Sequence, residues 1–519
     1  MMALESGQEI IRSRLGKLLG WVRLVVICLT FFIDIGSMGM CTIALPTIQK
    51  DLGFTQETLQ WVLTAYSLTY GGFLMVGGRL GDIFGQVTTF QIAMFFFNVF
   101  ALTCALSPNQ VGLVVARALQ GVAAACTIPS AQALVAQIFT DPKRQALALS
   151  GWGASGSLGF VLGPIIGGLF SSLVNWRWIF WFTLIVEGTL LVLSVFLFRQ
   201  PKSESRNTSS LAEIVRRLDP WGTVSSIAGL ILLVFSLTSG NQYGWSSATT
   251  LAPLIIAVVL LVVFVVVEIK VSTFPLVPRS LQSSNTLQLS CAMAALTYGV
   301  WQGANYVLTL ELQDLGFSSL QTAIRFLPLG GTALLVNMIV PHLLQPVGTR
   351  LLLVIAWILA LAGVLLLVFI DKKSDYWRFC FPGMILYIAG VGTVYFVSMV
   401  MAIVSMPKEH HGSVAGVYNM VLNIGGAVLG TAVMTVIIDS VEANHGGEKS
   451  HAAHMDGYHA ALYTTVGFSG LGVLIAVVMY FLLSRKKEDG SDKEEPGERV
   501  DIDTKAEPQS SSDCTDADP

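Results

Sequence analysis

The sequence predicts an all-α integral membrane protein with fourteen transmembrane helices and both termini in the cytosol. Three observations predict it. Apolar residues make up 53% of the 519-residue chain and charged residues only 12%, too little charge to cover a water-soluble domain of that size. Apolar runs of about 20 residues, the length a helix needs to cross roughly 30 Å of hydrocarbon, recur along nearly the whole chain. None of them alternates with a period of two, so the spans are helices, not barrel strands.

The fourteen runs lie at 22–45, 59–78, 87–106, 110–135, 146–170, 177–198, 221–240, 249–269, 286–309, 320–341, 350–370, 377–402, 413–438 and 461–484. The first is too long for the apolar region of a cleavable signal and lacks a small-residue cleavage site, so it is expected to remain as a span. Orientation follows from the basic residues, which collect on the cytosolic side of membrane proteins. With the N-terminus in the cytosol, 22 Lys and Arg fall inside, among them Arg79, Lys143, Arg144, Arg216 and Arg350. Six fall outside: Lys50, Arg177, Lys372, Lys373, Arg378 and Lys449. An even number of spans returns the C-terminus to the cytosol.

These runs divide the chain into a cytosolic tail (1–21), a six-helix N-terminal lobe (22–198) and a cytosolic loop (199–220). An inserted helix pair (221–270), a six-helix C-terminal lobe (271–484) and a disordered acidic tail (485–519) follow. The sequon at Asn207 falls in the cytosolic loop and is expected to stay unglycosylated. Six of the seven cysteines lie in apolar runs and read as free thiols; Cys514 is in the tail.

The fifth run contains "GSLGFVLGPIIGG" (156–168), a composition that would wreck a helix in water. In lipid, helices associate through close backbone packing, and Gly159, Gly163 and Gly167 recur every four residues on one face. Pro164 removes one internal hydrogen bond, which neighbouring helices can re-satisfy, and Gly168 extends the small-residue patch. Static packing and a moving seam both fit this pattern.

Ionisable residues inside the membrane cost about 2.5–3.5 kcal/mol each on insertion scales and so point to function. Three stand out: Asp34 in the first run, Arg117 in the fourth and Glu187 in the sixth. Burial raises a carboxyl pKa and a nearby cation lowers it, so a change of conformation can load and unload a proton. Asp34 or Glu187 is the candidate coupling carboxyl, with Arg117 tuning it; a structural ion pair is the alternative. Arg325 stands near a span end, where it can snorkel.

The turn "GRLGDIFGQ" (78–86) places Arg79 and Asp82 among Gly78, Gly81 and Gly85, and Asp82 can cap a helix N-terminus there. Tyr66, Gln120, Trp152, Trp301, Gln302, Asn305, Asn419 and Asn423 are polar-tipped residues within spans, suited to a midplane cavity or to helix–helix hydrogen bonds. The stretch "NHGGEKSHAAHMDGYHA" holds His445, His451, His454 and His459 with Glu448 and Asp456. Its glycines and scattered spacing predict a solvated outer loop and no preformed metal site. No phosphate-cradling G-x-x-x-x-G-K-[ST] string occurs, which excludes an ATP-driven pump of that type. The runs hold no histidine, and no nucleophile–base set marks the chain as a membrane enzyme.

Four of these stretches, in order, resemble the signatures of the major facilitator superfamily. "GFVLGPIIGG" resembles its antiporter motif, "GRLGDIFGQ" its loop motif, "LVVARALQGVAAA" (113–125) its fourth-helix motif and "DIGSMGMCTIALP" (34–46) the first-helix motif of its fourteen-span drug:proton antiporters. "WVLTAYSLTYGGFLMVGGRLGDIFG" and "WRWIFWF" are similar to the fungal subgroup of low-affinity ammonium and aminotriazole/boron-resistance transporters. The loop motif departs from the family in having Ile83, Gln86 and Val87 where basic residues are usual. Asp34 also stands about one turn further from Pro46 than in the best-known drug exporters.

The resemblance implies two lobes of 3+3 inverted repeats, a cytosolic gate at Gly78, Arg79, Asp82 and Gly85, and a pivot at the glycine helix. It further implies proton-driven export of small organic compounds such as drugs, toxins or secondary metabolites. Transport of a small inorganic species, ammonium or borate, is one alternative, and a nutrient-sensing transceptor is another. The expected partners are a small-molecule substrate, protons and the lipid bilayer. A monomer is expected, in the plasma membrane or else the vacuolar membrane, with no nucleic acid, cofactor or metal.

Overall fold

The computed structural model describes residues 2–54, 56–59, 61–198, 216, 219–272, 284–317, 319–444 and 451–488. The sequon at Asn207, His445, Glu448, the side chain of His451 and the acidic tail beyond 488 lie outside the described residues. Among the described residues every regular element is helical.

Each of the fourteen apolar runs contributes one long helix, the run at 320–341 being broken at Phe326 after a short helix, Ser319–Arg325. The N-terminal lobe comprises α1 (Met2–Leu52), α2 (Trp61–Phe84), α3 (Gln86–Ala105), α4 (Gln110–Ile138), α5 (Pro142–Leu173) and α6 (Arg177–Leu197). The inserted pair is α7 (Pro220–Tyr243) and α8 (Ala248–Val266), the latter continuing as a π-helical turn, Val267–Val271. The C-terminal lobe comprises α9 (Asn285–Asp314), α10 (Leu327–Val347), α11 (Thr349–Leu367), α12 (Cys380–Val404), α13 and α14 (His451–Glu488). Helix α13 runs as His411–Gly425, widens to a π-helix over Gly426–Ala432 and ends as Val433–Asn444.

The starts are set by local chemistry. Asn109 caps α4 by accepting from the Gly112 amide at 2.8 Å, and Asp141 caps α5 by accepting from the Arg144 amide at 3.0 Å. Pro142 and Pro220 open α5 and α7, where a missing N–H costs nothing. A single glycine joins α2 to α3 and another joins α10 to α11: Gly85 at φ 89° and Gly348 at φ 79°, backbone that a side chain would strain. The two lobes thus share the same tight connection at the same place in their topology.

Among the described residues, twelve helices are long and apolar enough to cross a membrane by length and composition. The other two, α2 and α9, have 24 and 30 residues; α2 carries five glycines and two tyrosines, and α9 two tyrosines and five amide side chains. They can do so because they face protein. Helix α2 packs on α4 and α13, and α9 packs on α12, α13 and α14. Helix α8 is the opposite case. Only Thr250 and Ala257 are buried, while Val258, Val259, Val262 and Val263 are exposed, the surface of a helix solvated by lipid.

Within the N-terminal lobe the main pairings are α1–α5, α2–α4 and α3–α4; within the C-terminal lobe they are α11–α12, α11–α14 and α9–α13. The lobes meet along two seams, α2 against α13 and α5 against α10. The inserted pair is joined to the rest through α7, which touches α2 and the π segment of α13. The start of α1 and the end of α14 lie on one face, here the terminal face; the other is the opposite face.

Two expectations change. The histidine stretch expected to be loop is helical from His451, because His454, Tyr458 and His459 are tied to the ends of α9 and α11. Histidines also occur in spanning helices: His342 lies inside α10 and His411 opens α13. Both were just beyond the apolar runs, whose ends the helices overshoot.

Candidate functional site

Asp34 and Glu187 stand together in the core of the N-terminal lobe. Asp34 on α1 is 2% exposed, and Glu187 on α6 is fully buried. The two are near enough to interact electrostatically. Thr127 on α4 donates to Asp34 Oδ2 at 2.7 Å, while Asp34 Oδ1 and both oxygens of Glu187 have no donor at hydrogen-bond distance, the Thr30 hydroxyl of α1 being the group beside Glu187. A buried charge without a partner costs several kcal/mol, so an ionised Glu187 needs a rearrangement that brings water or a cation to it.

Arg117 on α4 lies close by with no exposure. Its guanidinium donates to Gln120 Oε1 at 2.8 Å, Ser37 Oγ at 3.3 Å and the Val62 carbonyl at 3.2 Å, and it sits 4.3 Å over the Tyr66 ring. Its other terminal nitrogen, Nη2, has no acceptor. No ion pair joins Arg117 to Asp34 or Glu187 among the described residues, so the alternative of a structural ion pair is not realised in this state. Tyr66 lies near all three. Its ring also stacks toward Tyr70 at 6.3 Å.

The glycine stripe forms a seam inside the lobe. A Cβ on Gly159 would lie 2.5 Å from the Phe32 carbonyl oxygen, one on Gly163 2.6 Å from that of Gly36, and one on Gly167 2.5 Å from Met40. Helix α1 therefore offers its own four-residue rhythm, Phe32, Gly36 and Met40, to meet that of α5. Gly39 packs on the Pro164 ring, and Gly168 lies at ordinary contact distance from Ile43. The stripe thus faces α1 of its own lobe, not the other lobe. What α5 presents to the other lobe is Ser150, Gly153 and Val161. The Ser150 hydroxyl donates to the Asn337 carbonyl, Gly153 faces the Asn337 side chain, and Val161 presses on Gly330. Periodicity revealed the stripe but not which helix it meets.

On the terminal face the loop motif latches the lobes. Asp82 Oδ2 accepts from the Ser413 amide at 2.8 Å and the Ser413 hydroxyl at 2.5 Å; Oδ1 accepts from the Gly412 amide at 3.0 Å and Gln86 Nε2 at 2.8 Å. Asp82 thus caps the N-terminus of a helix in the other lobe, satisfying two orphan amides and facing the positive end of its dipole. Arg79 is near enough to add its charge. Gly78 lies against the Gly412 carbonyl, and Gly416 against Leu74 and Met75, so the two backbones touch with no side chain between.

The polar residues expected to line a cavity separate into groups. Asn419 donates to Gln132 Oε1 across the lobes at 2.7 Å, and Asn423 donates to the Asn419 carbonyl at 3.0 Å. Trp301 stacks on Tyr298 and meets Phe160 of the other lobe edge-on at 6.0 Å. Gln302 packs on Gly430, within the α9–α13 contact. Trp152 is fully buried and stacks flat on Phe31 at 3.9 Å, and Asn305 accepts from Tyr387 at 2.7 Å; both hold helices inside one lobe. Sequence reasoning missed Thr127, Gln132, Asn337 and Ser413, polar residues that short motifs do not mark. It also missed a second glycine seam: Gly299, Gly303, Gly425 and Gly430 bring α9 and α13 together as α1 and α5 are brought together. The string "NIGGAVLG" (423–430) was the available signal.

Two six-helix lobes and an inserted pair, closed at one face by a carboxylate cap and holding buried carboxyls within, define a multi-pass membrane transporter. The family description "Major Facilitator Superfamily" matches residues 27–269 and again 221–430, and the chain belongs to that superfamily. It is 31% identical over 477 residues to the puromycin resistance protein pur8 of Streptomyces alboniger, covering 90% of this chain and 92% of that one. It is 29% identical to the low affinity ammonium transporter of Saccharomyces cerevisiae, covering 89% of each chain. It is 28% identical to the multidrug transporter mfsC of Aspergillus fumigatus, covering 89% and 88%. The human organic anion transporter MFSD10 shares the fold, with a TM-score of 0.62, 17% identity and coverage of 87% and 98%.

Proposed function

We propose that this transporter is a proton-coupled antiporter that exports small organic compounds across the plasma membrane, with its terminal face in the cytosol. The observation that carries the reading is the pair Asp34 and Glu187: two carboxyls in one buried core, three of their four oxygens without a donor. Such groups hold protons easily while sealed and lose them when a conformational change admits water or a cation. Arg117 is the nearest permanent cation, and its present acceptors are neutral, so a swing toward Asp34 would exchange weak partners for a charged one. Alternating access supplies the swing. Breaking the Asp82 cap opens the cytosolic side, and the glycine seams let each lobe move as one body.

Export of organic compounds is supported by the puromycin resistance and multidrug relatives, and by the aromatic interlobe contact of Tyr298, Trp301 and Phe160, a surface suited to amphipathic solutes. The ammonium transporter relative favours a second reading, movement of ammonium. Proteoliposomes with an imposed pH gradient separate the two. Export predicts that puromycin or a similar organic cation is moved against a proton gradient and that Asp34→Asn or Glu187→Gln abolishes it. Ammonium flux without organic flux would replace the first reading with the second. Proton-driven organic flux that survived both substitutions would remove the carboxyl pair from the mechanism.

A further inference from the structure

The C-terminal lobe holds an acid that the proposed coupling pair does not use. Glu311, in the last turn of α9, is fully buried, and neither carboxyl oxygen has a donor. Tyr458 on α14, Cys380 on α12 and Asp371 beyond α11 are near enough to interact with it electrostatically. One turn further out, Asp314 Oδ2 accepts from the Tyr458 hydroxyl at 3.0 Å and lies 2.9 Å from His454 Nδ1. His454 Nε2 in turn faces Glu442 at the end of α13, at 3.9 Å. Side-chain exposure is 34% at Asp314, 30% at Glu442 and 26% at His454, and falls to nothing at Glu311. A row of hydrogen-bonding groups therefore leads from water on the opposite face toward a sealed carboxyl, Tyr458 being near Glu311 with no hydrogen bond between them.

The other lobe makes the same join with different chemistry. There Asp51, in the last turn of α1, accepts from Trp176 Nε1 at 2.9 Å and pairs with Arg177 at the start of α6. In both lobes the end of the first helix is clasped to the beginning of the last. In the N-terminal lobe the clasp uses a guanidinium, which never gives up its proton, and the residue one turn inward is the buried Ile48. In the C-terminal lobe the clasp uses histidine, and the residue one turn inward is Glu311. The remaining charges nearby do not pair with Glu311, although Arg325 Nε is itself buried without an acceptor. Arg325 donates to the Gln321 carbonyl and lies 3.7 Å over the Phe317 ring, Lys373 donates to the Gly316 carbonyl, and His459 lies 3.6 Å from Asp371. No cation forms an ion pair with Glu311 among the described residues.

We propose that Glu311 is a second proton-binding site, loaded from the opposite face through His454, Asp314 and Tyr458, and separate from Asp34 and Glu187. One proton from water adds to one carboxylate oxygen, and it leaves by the same route. While Glu311 is neutral, Asp314 and Glu442 gather around His454 and hold α14 to α9. Once Glu311 ionises, a third negative charge faces the same few side chains and the clasp loosens. Alkaline pH at the opposite face therefore weakens the join, and acid pH tightens it.

Infrared difference spectroscopy of the full-length protein in bilayers tests this, with glutamate carbon-13-labelled and Glu187→Gln as background. Raising pH should remove one protonated glutamate signal, and Glu311→Gln should lack that signal from the start. His454→Gln should keep the signal and slow its loss. In the otherwise wild-type protein, Glu311→Gln should also flatten the dependence of transport on pH at the opposite face, while the pH dependence from the terminal face stays. A purely structural Glu311 would move neither reading. If Glu311→Gln fails to fold, the Glu187→Gln background alone decides: no glutamate signal responding to pH overturns the proposal. Asp34→Asn should leave the Glu311 signal intact, so failure of the coupling pair and failure of this site are told apart.

Discussion

Replacing Asp82 with Asn removes the charge that holds the lobes together at the terminal face. Asp82 accepts four hydrogen bonds, three of them from Gly412 and Ser413 of the other lobe. Asn keeps one acceptor oxygen and turns an NH2 group toward donors. Loss of half the cap costs about 1 kcal/mol, and loss of the charge at the helix N-terminus up to about 1 kcal/mol more. The sum, about 2 kcal/mol, moves the closed–open equilibrium roughly 30-fold toward open. Met399 reports it well, being fully buried and reached by Gln132 of the other lobe. In a cysteine-free background, Met399→Cys should react with an impermeant thiol reagent from the terminal side about 30-fold faster when Asp82→Asn is added, since labelling follows the open population. An unchanged rate would refute the latch, because the cap has no other interlobe role.

Gly412→Ala should mimic Asp82→Asn, as its Cβ would lie 2.6 Å from Asp82 Oδ1. The two substitutions together should cost less than the sum of their separate effects on labelling, since each breaks the same contact. Gly163→Leu should lower the thermal stability of the N-terminal lobe by about 1–3 kcal/mol through overpacking against Gly36 and abolish transport with it; transport loss at full stability would instead restore a pivot role. Thr127→Val removes the one donor to Asp34 and should shift the pH profile of flux without loss of folded protein in a detergent melt. Ser150→Ala should be mild, about 0.5–1.5 kcal/mol on the closed state, because one neutral hydrogen bond is lost.

The helices and their number were legible because lipid demands an apolar run for each crossing, and only α2 and α9 weaken that signal with inward-facing polar groups. The Asp82 cap was legible as a cap, since an acid among glycines at a helix break has few other uses, but nothing local names the helix it caps. The glycine stripe was legible as a packing face for the same reason, and its partner was likewise hidden; α1 carries Gly36 and Gly39 without an obvious motif. Asp34, Arg117 and Glu187 were found by their cost in lipid, yet the indifference of Arg117 to both carboxyls depends on rotamers that periodicity does not encode. Glu311 escaped notice because it lies beyond the apolar run at 286–309 and two residues from "QD", where an acid reads as water-facing. Burial by α12 and α14 makes it otherwise, and that is a tertiary fact. His454 was misjudged for the same reason: glycines upstream suggested loop, while its bond to Asp314 holds a helix.

The most direct test of proton coupling through the buried N-lobe carboxyls is solute flux in sealed proteoliposomes, with the pH gradient as the sole driving force and wild type compared with the Asp34→Asn, Glu187→Gln double variant. Coupling predicts accumulation of the organic solute in wild type, collapse of that accumulation on adding an uncoupler, and no accumulation in the variant despite normal solute binding. Accumulation indifferent to the uncoupler, or retained in the double variant, would contradict it.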